Sequence, residues 1–333
     1  GPSVEYSPFF TKGYSGVAES ELVVSQEIDF PTKYAARSTQ AQMQQTVGDQ
    51  LLVKQRRDIL LQAQLVCIDV IRLNQSLAML RERLSNSETL LQMYEKRMEA
   101  GDANALELNK VKIDCMEVRT LVGEAEGERT ALLQQLKQLN GGKPIDVSST
   151  ELPEYAPIAD FEQYRALAVA SDADVAVAQT ALRAADMNLK VQKSEWLPSI
   201  SFGYRRNTEQ REAINGFMVG VSFPLYSNSS NVKAARERRQ SAELQVQQAQ
   251  HDAEASLRTS YEQLQGLQQV IDHSDVKLLQ ESLTLFRKAL QQGEITALAY
   301  YVEINSIYEK LQRHIDLHSQ SVKLLAELHR NEL

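Results

Sequence analysis

The feature that most constrains this chain is an internal duplication. Residues 196–236 contain two runs in which apolar and polar side chains alternate, a polar spacer between them, and the start of a long helical pattern. Residues 2–37 repeat this arrangement. The corresponding positions are Pro2-Ser3 with Pro198-Ser199, Phe30-Pro31 with Phe223-Pro224, and Ala35-Ala36-Arg37 with Ala234-Ala235-Arg236. A supersecondary unit that is used twice constrains the whole architecture, so it is interpreted before any local motif.

Alternation with a period of two predicts that each run is a β-strand. The apolar faces of three of these strands are Leu22, Val24, Ile28 and Phe30; Ile200, Phe202 and Tyr204; and Phe217, Val219, Val221, Phe223 and Leu225. The side chains between them are mostly polar or small, and they include Glu21, Glu27 and Asp29. We therefore expect β-hairpin 1 in residues 1–30 and β-hairpin 2 in residues 196–226. Such hairpins fit either a soluble core or a wall with lipid outside and water inside.

A heptad pattern follows the first hairpin, in residues 31–140. Its seam positions recur with alternating spacings of four and three, and the pattern breaks at Gly101. The seam is Ile59, Ala63, Val66, Val70, Leu73, Leu77, Leu80, Leu84, Ser87, Leu91, Tyr94 and Met98, and after the break Cys115, Val118, Val122, Ala125, Arg129, Leu132, Leu136 and Leu139. This predicts an antiparallel helical hairpin with its tip near residue 101. The helix from Ala36 to Gly101 would rise ~98 Å, a length that no compact domain needs.

A second helical hairpin is expected in residues 227–333, with its tip near Gly293. Its seam is Val276, Leu279, Leu283, Phe286 and Leu290 before the tip, and Ile304, Tyr308, Leu311, Ile315, His318, Val322 and Leu325 after it. The path from helix entry to tip is longer in the first copy, from Ala36 to Gly101, than in the second, from Ala235 to Gly293. The difference is one heptad, so an insertion or deletion of this length leaves the seam in phase.

The segment between the two repeats contains a linker and a helix. Asn140-Gly141-Gly142 is a strong helix stop, and residues 141–159 are expected to form an equatorial linker on the outside of the bundle. Residues 160–195 are expected to form one alanine-rich helix that Asp160 caps. Because no equivalent helix precedes the first β-hairpin, we expect that the chain is truncated at its N-terminus.

Composition and charge exclude several classes of protein. The net charge is −8 and the sequence has no basic cluster, so a nucleic-acid partner is not expected. Aromatic residues make up 6% of the chain, which is low for compact globular cores. No apolar run approaches ~18 residues, so no transmembrane helix is expected. A barrel strand carries a much weaker signal, and a membrane location therefore stays open.

Catalytic and metal-binding motifs are absent from the sequence. It has no nucleophile elbow, phosphate-binding glycine loop, metalloprotease helix or paired CxxC, so we expect neither an enzyme nor a cofactor. His314 and His318 have helical i, i+4 spacing, but no third ligand completes a metal site near them. Cys67 precedes Gly101 and Cys115 follows it much closer to the tip, so the two thiols would lie ~30 Å apart along the hairpin. They are expected to be free thiols.

The duplicated pattern resembles the TolC-like outer-membrane efflux channel family over essentially the whole chain. Four kinds of motif carry the resemblance. They are the strand start LPS, the strand end VSFPLY, the helix entry AAR, and the glycine-centred loops RMEAGDANALELNKVK and KALQQGEITALAYYVE. The order of these motifs, with strand, helix entry and loop occurring twice, is more specific than any one of them. The segment ELVVSQEIDFPTKYAAR and the tip segment LELNKVK look most like the CzcC-like branch of this family, which exports heavy metals and other cations.

The resemblance implies a mainly α-helical fold with a small β part. Long antiparallel coiled-coil hairpins would accompany two β-hairpins, whose four strands would join those of two further copies in a trimeric twelve-stranded outer-membrane β-barrel. Open sheet edges are not tolerated in lipid, which agrees with closure by other copies. The implied function is passive export of small molecules or metal cations across the periplasm and outer membrane. The implied partners are a homotrimer, a periplasmic adaptor protein, an inner-membrane pump of the RND or ABC type, and outer-membrane lipid.

The resemblance also assigns candidate site residues. The adaptor-docking tips correspond to Gly101, Ala105 and Leu106, and to Gly293, Ala297 and Leu298. Family members place acidic rings six and nine residues after the tip glycine, which are Glu107 and Lys110 in the first copy and Ala299 and Val302 in the second. Only Glu107 retains the acid, although Glu303 lies one residue beyond the last position. The candidate gate residues are therefore Glu107 and Glu303, and the candidate lumen-facing residues are Glu21, Glu27 and Asp29.

Simpler interpretations stay open for each site. The tip residues are also compatible with ordinary capping of a helical hairpin, and Glu107 with a solvent-exposed position near a turn. Glu21, Glu27 and Asp29 are also compatible with the solvent-facing side of any antiparallel sheet. For the whole chain, a type I protein-secretion channel shares the fold. A soluble coiled-coil scaffold would account for the long seams, but not for the four strands that precede the coils.

Overall fold

The computed structural model describes residues 1–12, 16–209, 212–223 and 229–333, and divides the chain into two compact units. The first unit is Gly1–Lys54 with Val169–Ala253, and the second is Gln55–Ala168 with Glu254–Leu333. The strands are β1 (Pro2–Phe9), β2 (Glu19–Asp29), β3 (Ser199–Glu209) and β4 (Glu212–Ser222). The helices are α1 (Pro31–Glu99), α2 (Ala105–Leu139), α3 (Phe161–Ala170), α4 (Ala173–Ser194), α5 (Ser229–Asp272), α6 (Val276–Gln292) and α7 (Ala297–Leu328), followed by a 3₁₀ turn at His329–Glu332.

The four strands form one antiparallel sheet in the order β1-β2-β3-β4. The register places Val4 opposite Val24, Val24 opposite Tyr204, and Tyr204 opposite Phe217. The predicted apolar faces therefore lie on one side of the sheet, and the predicted mainly polar faces on the other. Phe30 and Phe223 follow the strand ends, and the expectations for Pro224 and Leu225 fall outside the described residues.

The apolar side of this sheet is open. Phe217 is 92% exposed and Val4 is 69% exposed. Other large apolar side chains on the same side are exposed as well, namely Tyr6, Val24, Ile28, Ile200, Phe202, Val219 and Val221. Isolated apolar side chains on a surface are ordinary, but a contiguous apolar face indicates a partner or a membrane.

An ionic cluster holds the first strand-to-helix junction of this unit. Lys33, which is buried, lies 3.3 Å from Asp29 and 3.7 Å from Glu195. Arg37 donates to Asp29 at 2.8 Å and to Glu195 at 2.7 Å. Two cations thus share two carboxylates, and the end of β2 is tied to the residue that follows α4. Arg37 belongs to the AAR helix entry of the first repeat.

The second unit is built on the predicted heptad seams. Val66, Val70, Leu73, Leu77 and Leu80 are buried on α1, as the 4,3 spacing predicts. The seam frays at both ends, because Ile59 and Met98 are exposed. The position assigned to His318 is wrong: its side chain is exposed, and the neighbouring Ser319 is buried instead.

Two segments that the sequence pattern treats as continuous helices are interrupted. Residues 160–195 contain α3 and α4, separated at Ser171 and Asp172, and Asp172 accepts hydrogen bonds from the backbone N–H groups of residues 174 and 175. The helical segment that precedes Gly293 is divided into α5 and α6 at residues 273–275, where Asp275 caps α6. In both places an aspartate carboxylate binds backbone N–H groups that a continuous helix would use internally.

The start of α3 and the linker before it are held by specific hydrogen bonds. Asp160 accepts from the backbone N–H groups of Glu162 and Gln163 at 2.9 and 3.1 Å, which confirms the predicted cap. Residues 141–159 contain no helix or strand. This linker lies along α1, where Asn74 donates to the carbonyl oxygens of residues 147 and 149, and Gln75 to that of residue 150. Among the described residues, no helix is both long and apolar enough to cross a membrane.

A buried ion pair within the first helical hairpin of the second unit also contacts the other hairpin. Asp114 on α2 is 1% exposed, and its carboxylate accepts from Arg83 at 2.9 Å and from Ser87 at 2.7 Å. Arg83 also donates to Asn305 on α7 at 2.8 Å, and its guanidinium lies 4.7 Å from the centre of the Tyr308 ring. The sequence patterns did not single out either charged residue. A buried charge requires a partner, so the pair constrains how the hairpins meet.

We expect Asp114→Leu to lower the free energy of unfolding by about 3–5 kcal/mol, because Arg83 would be left buried without its counter-charge. The double variant Arg83→Met/Asp114→Leu should recover most of this loss, since neither charge then remains. Denaturant titration followed by helical circular dichroism measures both values. Equal destabilisation of the single and double variants would contradict the role assigned to the uncompensated charge.

Candidate functional site: the hairpin tips and the polar sheet face

The two tip turns have the same backbone geometry. Gly101 and Gly293 both have left-handed conformations, with φ of 79° and 75°. One residue later the chain turns back, and the backbone N–H groups of Asp102 and Glu294 donate to the carbonyl oxygens of Arg97 and Ala289 at 2.8 and 2.9 Å. Glycine adopts this conformation without the strain that a side chain would add. The duplication therefore extends to the details of the turns.

The residue that caps the following helix lies at the same place after each glycine, but the two caps differ. In the first copy Asn104 accepts from the backbone N–H of Glu107 at 2.9 Å, and the Glu107 carboxylate accepts from the backbone N–H of Asn104 at 3.3 Å. This reciprocal pair is a capping box. In the second copy Thr296 accepts from the backbone N–H of Ala299, and Ala299 has no side chain that can reciprocate. Glu107 thus has a local structural role.

The predicted docking residues lie in different environments. Leu106 is 76% exposed and Leu298 is 60% exposed, and Gly101, Ala105 and Gly293 are exposed as well. Ala297, in contrast, is 0% exposed, so its side chain is not accessible to a partner. As the first residue of α7, it lies on the same helix face as Tyr300, Tyr301 and Ile304, which are buried with it. Val302, one turn after Leu298, is an exposed apolar residue that the sequence analysis considered only as a gate position.

A shared apolar core brings the two tips together. Tyr94 on α1, Val111 on α2, Leu290 on α6 and Tyr301 on α7 are buried in one cluster. The ammonium group of Lys110 lies 5.7 Å from the centre of the Tyr301 ring. Burial raises the pKa of Tyr301, and it raises the pKa of Tyr300 to about 12. Both phenols therefore stay neutral at physiological pH. The exposed gate candidate Glu303 lies outside this core.

The polar side of the sheet carries Glu21, Glu27 and Asp29 together, as the alternation predicts. Glu21 lies 2.9 Å from Arg205 of the neighbouring strand, and Glu27 accepts from the Ser199 hydroxyl. The register adds acids that the sequence analysis did not select. Among the described strand residues, the acids on this side are Glu5, Glu19, Glu21, Glu27, Asp29, Glu209 and Glu212, and the base is Arg205. Asp29 is paired with Lys33 and Arg37, but the remaining acids still outnumber Arg205, so the polar side has a net negative charge.

The remaining chemical candidates form no site in the part of the chain that the structure describes. The His314 and His318 rings are 6.1 Å apart, and no described group of three or more His, Cys, Asp or Glu side chains is placed to hold a metal ion. Cys67 and Cys115 are free thiols, as expected. Burial raises the pKa of both, so neither is an activated thiolate.

A four-stranded sheet with one apolar and one acidic side, in a chain that also folds into two long helical hairpins, defines the class of outer-membrane channel proteins with helical tubes. Residues 165–330, about half of the chain, match the family described as Outer membrane efflux protein. The chain belongs to this family. No curated protein sequence matches it.

Solved structures share the fold across nearly the whole chain. A membrane protein from Pseudomonas aeruginosa is 17% identical, with a TM-score of 0.81 over 99% of this chain and 81% of that one. The outer membrane protein VceC of Vibrio cholerae is 17% identical, with a TM-score of 0.77 over 99% of this chain and 86% of that one. The Campylobacter jejuni CmeC outer membrane channel is 12% identical, with a TM-score of 0.77 over 99% and 76%. The resemblance to TolC-like channels and the predicted fold class are confirmed.

Proposed function

We propose that this protein is the outer-membrane channel of a tripartite efflux system and acts as a passive trimeric conduit. The observation that carries the proposal is the exposed apolar side of the sheet, with Phe217, Val219 and Val221 on β4, behind which lies an acidic side. An open four-stranded sheet has two unpaired edges, and lipid does not tolerate unpaired backbone groups. Three copies would close a twelve-stranded barrel, with the apolar side toward lipid and the acidic side toward water.

The helical hairpins fit the periplasmic part of such a conduit. A helix of 69 residues, the length of α1, rises ~104 Å at 1.5 Å per residue. A compact domain has no use for helices of this length, whereas a tube that crosses the periplasm requires them. The energy for export would come from an inner-membrane pump, with a periplasmic adaptor between the pump and the channel.

The lipid-facing role is tested by two neighbouring residues of β4 that point to opposite sides of the sheet. We expect Val219→Arg to reduce assembly in the outer membrane, because an arginine at the centre of a lipid-facing surface costs about 2–4 kcal/mol. Met218→Arg, the matched control on the polar side, should assemble normally. The measurement is membrane fractionation, followed by chemical crosslinking of the detergent-extracted protein.

The unmodified chain should give a crosslinking ladder that ends at three copies. Extraction without detergent, or equal tolerance of both arginines, would contradict the membrane channel and favour a soluble coiled-coil scaffold. A stable monomer with a closed barrel of its own would contradict the trimer.

The tips are proposed as the adaptor-docking surface. Leu106 and Leu298 project exposed apolar side chains beside matching glycine turns, while the buried Ala297 shapes the turn from within. Small apolar protrusions on a polar surface suit a partner with a complementary groove.

We expect the double variant Leu106→Asp/Leu298→Asp to lose adaptor binding by about a hundredfold, since burying two carboxylates in an apolar contact is strongly unfavourable. The trimer should remain intact. Leu244→Asp on α5, a similarly exposed leucine of the first unit, serves as the control. Binding is measured by biolayer interferometry with the purified adaptor. Unchanged affinity of the double variant would mean that the adaptor binds elsewhere.

The cargo class proposed is cations, including metal cations. The excess of acids over bases on the described polar side of the sheet would give a trimeric lumen a negative potential, which concentrates cations. At the periplasmic end, three copies of Glu107 around the axis would add a ring of negative charge. The second copy has no acid at the matching position, and Glu303 is exposed nearby.

The substitution Glu107→Gln distinguishes a role of Glu107 in the gate from its role in capping α2. Glu107→Gln keeps the capping box, because glutamine also accepts from the backbone, but removes the charge. We expect weaker block by millimolar divalent or trivalent cations and a lower preference for cations over anions in planar bilayers. Glu107→Ala should additionally lower the thermal stability of the tip. If Glu107→Gln conducts as the unmodified channel does, Glu107 is a cap and not part of the constriction.

A further inference from the structure

The apolar side of the sheet, which is the side that carries Phe217, has one charged residue among the described strand positions. This residue is Arg206, which the register places opposite Leu22 on β2 and Asn215 on β4. The acids of the described strands and the neighbouring Arg205 all lie on the polar side. A single cation on an otherwise uncharged apolar surface is unusual, so its position and its surroundings are informative.

Arg206 has no counter-charge in the part of the chain that the structure describes. Its side chain is exposed, and no described carboxylate lies within ion-pair distance of it. Arg205 differs, because it lies 2.9 Å from Glu21 on the neighbouring strand. Successive residues of a strand point to opposite sides of the sheet, so the backbone separates Arg206 from the acids. A partner for Arg206 therefore has to come from outside the chain.

The position of Arg206 along the sheet determines which membrane surface it would meet. β2 ends at Asp29, two residues before α1 begins, so Asp29 and its neighbours form the end of the sheet that leads into the helices. Arg206 lies toward the opposite end, where β1 ends and β2 begins. In the proposed channel the helices are periplasmic. Arg206 would then face the outer leaflet of the membrane.

The depth of Arg206 agrees with the boundary of the hydrocarbon layer. From Asn215, which is opposite Arg206, to Phe223 at the helical end is ~27 Å along the strand at ~3.4 Å per residue. A strand tilt of ~40° reduces this distance to ~21 Å along the membrane normal, whereas the apolar band of such barrels is ~25 Å tall. When Phe223 lies at the periplasmic boundary, the Arg206 side chain can thus extend to the lipid headgroups.

The apolar side changes its chemistry at the height of Arg206. Toward the helices, the next row contains Val24 and Phe217, both of them exposed. Away from the helices, the next row contains Thr208, which pairs with Ser20. Arg206 therefore lies where apolar side chains give way to hydroxyl and amide groups.

Asn215 is oriented so that its amide can donate hydrogen bonds beside Arg206. The hydroxyl group of Tyr204 donates to Oδ1 of Asn215 at 2.7 Å. This contact uses the acceptor atom of the Asn215 side chain and leaves the amide N–H groups exposed on the same side of the sheet as the guanidinium. The row thus presents a cation and further hydrogen-bond donors, which is a set that suits an anion rather than a second cation.

A phosphorylated glycolipid matches all three of these features. The planar guanidinium has donors in a fork that fits phosphate oxygens, and such charge-assisted bonds are strong. Phosphate groups on the lipid's sugars lie at the border between acyl chains and headgroups, which is the depth of Arg206. Sugar hydroxyls can bind the neighbouring polar side chains, and acyl chains can cover the apolar rows.

We propose that Arg206, with Asn215 and Thr208 beside it, binds a phosphate group of an outer-leaflet phosphorylated glycolipid, one lipid for each copy of the chain. Val24 and Phe217 contact its acyl chains. This site rests on the proposed outer-membrane channel and names the lipid that the apolar side of its sheet recognises.

The first test compares two neighbouring arginines that point to opposite sides of the sheet. Purified detergent-solubilised trimers are titrated with a bisphosphorylated, hexa-acylated glucosamine disaccharide, and bound lipids are counted by native mass spectrometry. We expect Arg206→Gln to bind this lipid about tenfold more weakly than the unmodified trimer, because the charge-assisted bonds to phosphate are lost. Arg205→Gln, the matched control on the polar side, should bind it as the unmodified trimer does. The same spectra show whether each variant remains a trimer.

The second test identifies the lipid group that is recognised. The phosphate-free form of the same disaccharide should bind the unmodified trimer about as weakly as the phosphorylated form binds Arg206→Gln. Phosphatidylglycerol, a phospholipid without the sugar headgroup, should also bind more weakly. Equal binding of phosphatidylglycerol would overturn the assignment to a glycolipid.

Two further outcomes separate this site from the proposed channel. A trimer that fractionates with the outer membrane, but binds the phosphorylated lipid equally well with and without Arg206, would overturn the site and leave the channel intact. Equal losses in Arg205→Gln and Arg206→Gln would overturn it as well, since they would indicate a general effect of charge. If the unmodified protein forms no trimer and does not fractionate with the outer membrane, both proposals are overturned.

Discussion

Backbone hydrogen bonding in a sheet with two open edges is the constraint on which the rest of this protein depends. Among the described strands, β1 and β4 each have one unpaired edge, and the sheet presents Phe217 and its neighbours on an uncovered apolar side. In water such a sheet would aggregate, and in lipid its edges would be unsatisfied. The strand order and the alternation of faces are compatible with closure by identical copies. A partner that pairs with both edges and covers the apolar side would meet both requirements.

The helical hairpins meet a different requirement, which is the alignment of long helices without a large globular core. Heptad seams bury residues such as Val70 and Leu77 over many turns. A uniform apolar seam is weakly selective for register, and the buried Arg83–Asp114 pair supplies a fixed point. Because Arg83 also donates to Asn305, that fixed point joins α7 to the first hairpin as well.

The two tips have the same backbone conformation but different side chains. Gly101 and Gly293 turn in the same way, but Asn104 with Glu107 forms a capping box where Thr296 caps alone. The alanine that begins each following helix is exposed at residue 105 and buried at residue 297. The two tips therefore share a backbone turn and differ in the side chains that they expose.

The sequence by itself determined the features that depend on local periodicity and local backbone chemistry. Alternation placed Glu27 and Ile28 on opposite sides of the sheet, spacing of four and three identified the seams, and glycine marked both tips. These features follow from the two-residue repeat of a strand, the near-heptad repeat of a helix, and the freedom of glycine, which act over a few residues.

Only the tertiary structure decided which distant residues meet. The pairing of Arg83 with Asp114, the hydrogen bond from Arg83 to Asn305, and the burial of Ala297 depend on contacts across helices. The breaks beside Asp172 and Asp275 had local capping signals, but the helical pattern continued through them and hid these signals. The acids that the register added to the polar side, such as Glu5 and Glu209, were assigned only by strand pairing. In each case the deciding energy comes from a neighbour far away in the sequence, and short-range patterns carry no information about such neighbours.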